Sequence, residues 1–452
     1  MKINSVIVCL AAVWLFLVCG PAGLWAGESG GSGLTLDQAY ARALENNNQV
    51  RSSKEQVQQA RQEVGISTSQ LLPQVNARAE YTRQKTFSFI SPVDKFGLLS
   101  VSASQHLYQG GKIWSQRRAS QYSLQSQEFR HFRRLQSVLF NVATQYYEVL
   151  LANQNIVIAE NQLRRTKRQL ERAEQRLEVG LVNRTAVLRA EVQVARSREQ
   201  LERARNQRAV ALENLRLEMG VSELPEKLEG IQEQRLEDSS PDTLQARGFS
   251  NRRDLQQLAG SRQAAEETVQ AEKGDFWPRL SLEGAYSRTN EEELYFGERT
   301  DWNVSVVASY PLFTGFRDVS EVNRAQRRTA EIRADFRRLK RSISAEIRSV
   351  YLDLKTQEKV IMSLEEEVDS AKANYEQIVA QFNEGLVSAV DVVDAQTALN
   401  EAERRLSLAF FNYQLNLLRL ELATGTYEQE RVRRHLLVSW NTDALRPEGG
   451  GQ

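Results

Sequence analysis

The chain has 452 residues, room for two or three ordinary domains, and a formal net charge of +1. That balance gives no pull toward nucleic acid or acidic substrates. Charged residues make up 26% and are finely interspersed, and only eight prolines occur, so solvated faces of long helices are expected.

Residues 1–26 read as a secretory signal. Lys2 supplies the positive start, Val6 to Val18 the apolar core and Ala26 the cleavage residue. Both cysteines, Cys9 and Cys19, lie in this segment, so cleavage leaves neither disulfide nor thiol. Val18 stands where a lipoprotein signal requires a small residue, which argues against a lipid anchor at Cys19. No later stretch approaches the roughly 18 apolar residues that a membrane-spanning helix needs.

Residues 27–33 form a flexible leader. A helix is expected from Thr35 to Gln70, stopped by Pro73. The period then becomes two. Val75, Ala77, Ala79 and Tyr81 share one face of a strand over about 74–84, and Leu99, Val101, Ala103 and Leu107 one face of a second over about 98–108. A loop over 85–97, holding Ser91 and Pro92, separates the two. Gly110-Gly111 marks the passage into a helix running from Ile113 to Glu178, roughly 100 Å long at 1.5 Å per residue. A tip at 179–184 follows, carrying Gly180, Leu181 and Val182, and a return helix runs from Thr185 to Met219. Residues 221–242, with Pro225 and Pro241, read as a linker.

The landmarks then recur. Pro73 and Pro278, Gly110 and Gly315, Gly180 and Gly385, and Gly220 and Gly425 are all separated by the same 205 residues. An unbroken internal duplication follows, with repeats over 34–220 and 243–425. The second contains a helix from Leu244 to Lys273 and strands over about 279–289 and 302–312, split by an acidic loop (Glu291, Glu292, Glu293). A long helix from Asp318 to Asn383 comes next. Ile343, Ile347, Val350 and Leu354 begin a heptad rhythm that continues to Phe382 and fails only at Gln357, the pattern of a left-handed coiled coil. The second tip, 383–388, carries Gly385, Leu386 and Val387. Ser388 suits an N-cap and Asp391 the capping-box position three residues on, while Asp394 shares the Asp391 face. Residues 426–452 read as an irregular tail.

The strand lengths match tilted crossings of a bilayer, and the aromatics Tyr81, Tyr286, Trp302 and Tyr310 suit an interfacial girdle; a half-buried soluble sheet is the other reading. Four strands cannot close a barrel with a channel, and lipid tolerates no open edge, so strands in a membrane must be shared among copies. The three histidines (His106, His131, His435) are far apart, and no phosphate-binding glycine loop occurs, so neither an enzyme, a resident metal nor a cofactor is expected. Arg130, Arg133 and Arg134 read as a solvated helix face.

The segments R-L-E-V-G-L-V-N-R-T-A-V-L-R-A-E and Q-F-N-E-G-L-V-S-A-V-D-V-V-D-A-Q, with the passages Q-H-L-Y-Q-G-G-K and S-Y-P-L-F-T-G-F-R, resemble the outer-membrane efflux protein (TolC-like) family over nearly all of 34–425. The resemblance implies a mixed fold: a homotrimer with one twelve-stranded β-barrel in outer-membrane lipid, continued by a helical barrel in the periplasm. It implies a passive exit duct for efflux or type I secretion, partnered by a periplasmic adaptor and an inner-membrane transporter that supplies the energy. The family's acidic constriction maps onto Asp391 and Asp394, where like charges would raise some pKa values, favour cations and bind multivalent ions; the alternative is plain helix capping. The family's polar latch maps onto Val387, Phe382 and Ala186, which cannot make those bridges, although Thr185 and Arg184 stand nearby. The tips Gly180, Leu181, Val182, Gly385, Leu386 and Val387 would face the adaptor. An exported coiled-coil scaffold or adaptor is the competing reading, and two hairpins, each with its own strand pair, argue against it. Neither the cargo nor the pump class is legible.

Overall fold

The structure, a computed structural model, describes residues 33–83, 95–225, 227–231, 233–237, 239–291 and 298–444. The signal, most of the leader, loop residues 85–94, Glu292, Glu293 and residues 445–452 lie outside the described residues. In chain order the elements are α1 (Leu36–Asn46), α2 (Asn48–Ser69), β1 (Gln74–Arg83), β2 (Lys95–Gln109), α3 (Lys112–Glu178), α4 (Arg184–Met219) and α5 (Pro241–Asn251). Then come α6 (Arg253–Lys273), a 3-10 turn (Gly274–Phe276), β3 (Arg279–Glu291), β4 (Glu298–Ser309), α7 (Arg317–Asn383), α8 (Ala389–Thr424) and α9 (Gln429–Ala444). Among the described residues no helix is long and apolar enough to cross a membrane.

The long helices α3 and α7 each hold 67 residues and pack on the 36-residue return helices α4 and α8. Side by side, the four follow the order α4, α3, α8, α7. Ile343, Ile347 and Leu354 of the heptad seam are fully buried, each such side chain contributing about 2 kcal/mol through water exclusion. The break in the rhythm at Gln357 has a partner: Asn416 Nδ2 of α8 donates to Gln357 Oε1 at 3.1 Å. The seam admits this polar pair because the two half-buried amides hydrogen-bond across it.

Two expected helices are each broken. The Thr35–Gln70 helix divides at Asn47, whose Oδ1 accepts from Gln49 N at 2.7 Å while its Nδ2 donates to the Glu218 carbonyl at 2.7 Å. One asparagine thus ends α1, caps α2 and ties both to the end of α4. The Leu244–Lys273 helix divides at the buried Arg252, which pairs with Asp254 and Glu346, each at 2.6 Å. The expected irregular tail is also corrected. Residues 429–444 form α9, because Val432 and Leu436, one turn apart, bury against a core built from α1 and α3. Ahead of it Tyr427 is 1% exposed, 2.6 Å from the Tyr40 hydroxyl, and its carbonyl accepts from Gln136 Nε2 at 2.7 Å. Arg133, expected to be solvated, is held below the usual guanidinium pKa by burial and donates to the Leu422 carbonyl at 3.1 Å.

The strands form one antiparallel sheet in the order β1-β2-β3-β4, with β1 and β4 at its edges. Register aligns the apolar positions: Ala77 with Val101, Val101 with Tyr286, and Tyr286 with Trp302. Val75, Tyr81, Tyr286, Trp302, Val304 and Val306 are all half or more exposed in the single chain. The alternation in β2 does not persist to Leu107. A bulge between His106 and Tyr108 leaves Leu107 unpaired and sets Tyr108 opposite Leu280, because one inserted residue exchanges the two faces. β2 starts at Lys95, earlier than expected, and β4 spans Glu298–Ser309, so Tyr310 lies beyond its end.

At the base of the sheet Asp275 accepts from Lys112 Nζ (2.6 Å) and Arg279 (2.7 Å), pinning the 3-10 turn to the start of α3. Glu272 and Glu321 stand beside it, and burial raises the Glu272 carboxyl. Lys112 and Arg279 offset part of the charge of this group, which joins strands to helices.

Candidate functional site

Both hairpin tips are built by the same local rules. At each, a helix ends on a glycine in the left-handed region, φ 74° at Gly180 and 80° at Gly385. The amide beyond it reaches back across the last turn: Leu181 N to the Arg176 carbonyl at 2.8 Å, and Leu386 N to the Gln381 carbonyl at 3.0 Å. Glycine suits that position because a Cβ disfavours positive φ. The next helix then starts on a side-chain cap. Asn183 accepts from Ala186 N at 3.1 Å. Ser388 and Asp391 complete a full capping box, with Ser388 N donating to Asp391 Oδ2 at 2.8 Å. Between caps, Leu181 is 74% and Leu386 71% exposed, whereas Val182 and Val387 are half-buried.

Asp391 and Asp394 are exposed on one face of α8, with Val392 and Ala395 buried beneath. The Ser388 hydroxyl, then the Ser388 amide, donate to the Asp391 carboxylate and hold its pKa below the usual range. Within one chain the capping chemistry therefore acts on Asp391 in the direction opposite to like-charge repulsion. The positions 205 residues earlier, Ala186 and Arg189, carry no acid.

Phe382, which cannot form a polar bridge through its side chain, is nevertheless gripped. Arg176, in the last turn of α3, donates to the Phe382 carbonyl at 2.7 Å and the Asn383 carbonyl at 2.6 Å. Its guanidinium lies 4.6 Å from the Phe382 ring centroid. A cation at the carbonyl end of α7 also meets the negative end of that helix dipole. Sequence reasoning missed Arg176; its available signal was a fork-shaped cation in the last helical turn before one of two tips. Val182 and Ala186 of the first tip line a groove of about 360 Å³ with Phe382, Val390 and Val393 of the second. The two tips of one chain are thus joined by Arg176 and share this apolar groove.

Replacing Arg176 with alanine should loosen the joint by about 2 kcal/mol, the sum of charge-assisted hydrogen bonds and ring stacking in a half-exposed setting. Amides 379–386 should then exchange hydrogen about 30-fold faster. Arg176→Lys, which keeps the charge and loses the fork, should fall between. Unaltered exchange in the alanine variant would show that the tips associate without it.

The histidines remain separate from the tips. His131 is buried on α3 with Nδ1 2.7 Å from Ser53 Oγ, and burial pushes its pKa down to about 4, so it is a neutral core group.

The family described as outer membrane efflux protein matches residues 39–221 and 248–426. Outer membrane protein TolC of Vibrio cholerae serotype O1 is 28% identical over 408 residues, covering 88% of this chain and 92% of that protein. Alkaline protease secretion protein AprF of Pseudomonas aeruginosa is 24% identical, covering 88% of this chain and 85% of that one. Among solved structures, a CusC structure concerned with folding and transmembrane channel formation superposes with a TM-score of 0.78 at 20% identity, covering 86% of this chain and 92% of the other. The Campylobacter jejuni CmeC outer membrane channel gives 0.78 at 19%, covering 88% and 89%. With the family match extending over most of its length, including both strand pairs and both tips, the chain belongs to the outer membrane efflux protein family.

Proposed function

We propose that this protein is the outer-membrane exit duct of an efflux or type I secretion assembly, extending from the outer membrane into the periplasm. The observation that carries the reading is an open four-stranded sheet, apolar in register and exposed, from which two 67-residue helices run to paired tips. An open edge is untenable in lipid, so β4 of one copy pairs with β1 of the next. Three copies close a twelve-stranded barrel with room for a channel. The two repeats of each copy contribute four long helices, about 100 Å in length at the outbound pair, to a continuous helical duct.

The duct is passive. Energy comes from an inner-membrane transporter, and a periplasmic adaptor docks on Leu181, Val182, Leu386 and Val387 around Gly180 and Gly385. Asp391 and Asp394 of three copies form two rings of carboxylates at the mouth, favouring cations. Because Ala186 and Arg189 stand at the matching places in the first repeat, the acidic ring has three-fold symmetry. The relatives' names span protease secretion and cation efflux, so the shared architecture supports a duct without assigning its cargo.

Full-length protein expressed in a Gram-negative host should fractionate with the outer membrane, migrate as a crosslinkable trimer and form cation-selective pores in planar bilayers. Recovery as a soluble periplasmic monomer would overturn the reading.

A further inference from the structure

One face of α3 turns a ladder of arginines toward the second hairpin. Arg168, Arg172 and Arg176 follow Arg165 by three, seven and eleven residues, the spacing of a single helical face. Both end rungs find partners across the gap. Arg165 donates to Asn400 Oδ1 of α8 at 2.5 Å and pairs with Glu403 at 3.4 Å. Arg176 holds the Phe382 and Asn383 carbonyls. The middle rungs do not. Arg168 reaches only the Arg164 carbonyl of its own helix, at 3.4 Å, and Arg172 makes no hydrogen bond or ion pair among the described residues.

Between these rungs and α7 lies a pocket of about 320 Å³, floored by Val392 and Leu399 of α8. Lys372, Tyr375 and Glu376 of α7 form its far wall. Burial raises the Tyr375 hydroxyl, and the charges of Arg165, Arg172 and Arg168 oppose that rise, so all three guanidinium groups act on one phenol across the gap. The lining carries four cations, Arg165, Arg168, Arg172 and Lys372, against two carboxylates, Glu376 and the Glu403 that Arg165 already engages. A doubly charged anion would complete the balance.

We propose that this pocket binds a soluble phosphate-bearing anion of about pyrophosphate size, which bridges Arg168 and Arg172 of the first hairpin to Lys372 and the Tyr375 hydroxyl of the second. Guanidinium forks match the paired oxygens of a phosphate, an ammonium adds a point charge and a phenol a further donor. Clefts of this volume suit small ligands. The position rules out a headgroup of the membrane around the strands. Arg168 lies 56 residues beyond Lys112, roughly 84 Å along α3, and only 12 residues before Gly180. The anion supplies the rungs that the chain leaves empty and ties α3 to α7 across α8, beside the Arg176 joint. Binding needs one chain alone. Its consequence rests on the duct reading: spreading of the hairpins breaks the bridge, so the bound anion favours a closed mouth by linkage.

The test uses the full-length protein in detergent, with inorganic pyrophosphate as the probe and potassium chloride at matched ionic strength as the control. At about ten times its dissociation constant, pyrophosphate should slow hydrogen exchange about tenfold at amides 165–176 and 372–383 together. R168A/R172A, which removes two exposed side chains, should abolish this protection. K372A should lose it on α7 while keeping part of it on α3. In planar bilayers, pyrophosphate on the side of the tips should shorten the time spent open several-fold in the unaltered protein and not in R168A/R172A. Protection confined to 165–176 in the unaltered protein overturns the bridge, leaving anions gathered at exposed arginines. No protection, together with loss of adaptor crosslinking in R168E/R172E, also overturns it and assigns these arginines to an acidic adaptor side chain. Protection of both stretches in protein that forms no pores instead rejects the duct reading and leaves the pocket.

Discussion

Gly110→Ala should abolish assembly of the protein in the outer membrane, whereas Gly315→Ala should leave most of it. The two glycines are 205 residues apart and hold nearly the same left-handed conformation, φ 59° and 63°. Alanine at either position incurs the backbone penalty of about 1–2 kcal/mol. Their surroundings differ. An added Cβ at Gly110 would fall on the Gly274 carbonyl and 2.8 Å from the Trp277 Cβ, whereas at Gly315 it would meet nothing within 4 Å. The Gly110 contact is backbone against backbone, so no rotamer change relieves it. Moving Gly274 would displace the turn in which Asp275 holds Lys112 and Arg279. The combined cost should reach about 4 kcal/mol or more. Heat-resistant oligomer, the trimer proposed above, should be near zero on gels for Gly110→Ala and at least half of normal for Gly315→Ala. Equal yields would mean that the passage from β2 into α3 tolerates a shift.

The second large effect concerns the two acids beside the second tip, Asp391 and Asp394. Asp391→Ala/Asp394→Ala should erase most cation selectivity in planar bilayers and raise the concentration of a trivalent cation needed for block by on the order of tenfold or more. The single variants separate two roles. Asp394 takes no part in the capping box, so Asp394→Ala should weaken block without altering the tip. Asp391 accepts from both the hydroxyl and the amide of Ser388, so Asp391→Ala should weaken block and also loosen the start of α8. Amide exchange at 388–392 distinguishes these outcomes. If neither variant changes block, the carboxylates serve only the helix end.

Much of this architecture was legible because its causes are local. The 67-residue helices follow from an apolar rhythm that each turn repeats, the tips from single glycines, and the Ser388–Asp391 capping box from a spacing of three. The alternating runs located all four strands, and their apolar faces fell into register. What escaped depends on partners distant in the chain. Asn47 breaks a helix because the Glu218 carbonyl, 171 residues away, accepts from it. The last helix exists because Val432 and Leu436 find a core formed by α1 and α3, which no pattern within 429–444 reveals. The Leu107 bulge is a property of a strand pair, since alternation in one strand carries no record of its neighbour's register.

The tips divide in the same way. From the residues alone Phe382 is a position that cannot make a polar bridge, and that remains correct for its side chain. The folded chain brings Arg176, 206 residues earlier, over its ring and onto its carbonyl, so the tips are joined through backbone acceptors that every residue carries. Sequence by itself determined the lengths, the two-fold recurrence and the placement of the acids, because helix period, turn conformation and charge are written residue by residue. Tertiary structure alone decided that Gly110 is crowded while Gly315 is open, that Arg133 is half-buried, and that Arg176 grips the second tip. Those outcomes depend on which surfaces meet in space, and equal spacing along a duplicated chain does not make its two halves equal neighbours.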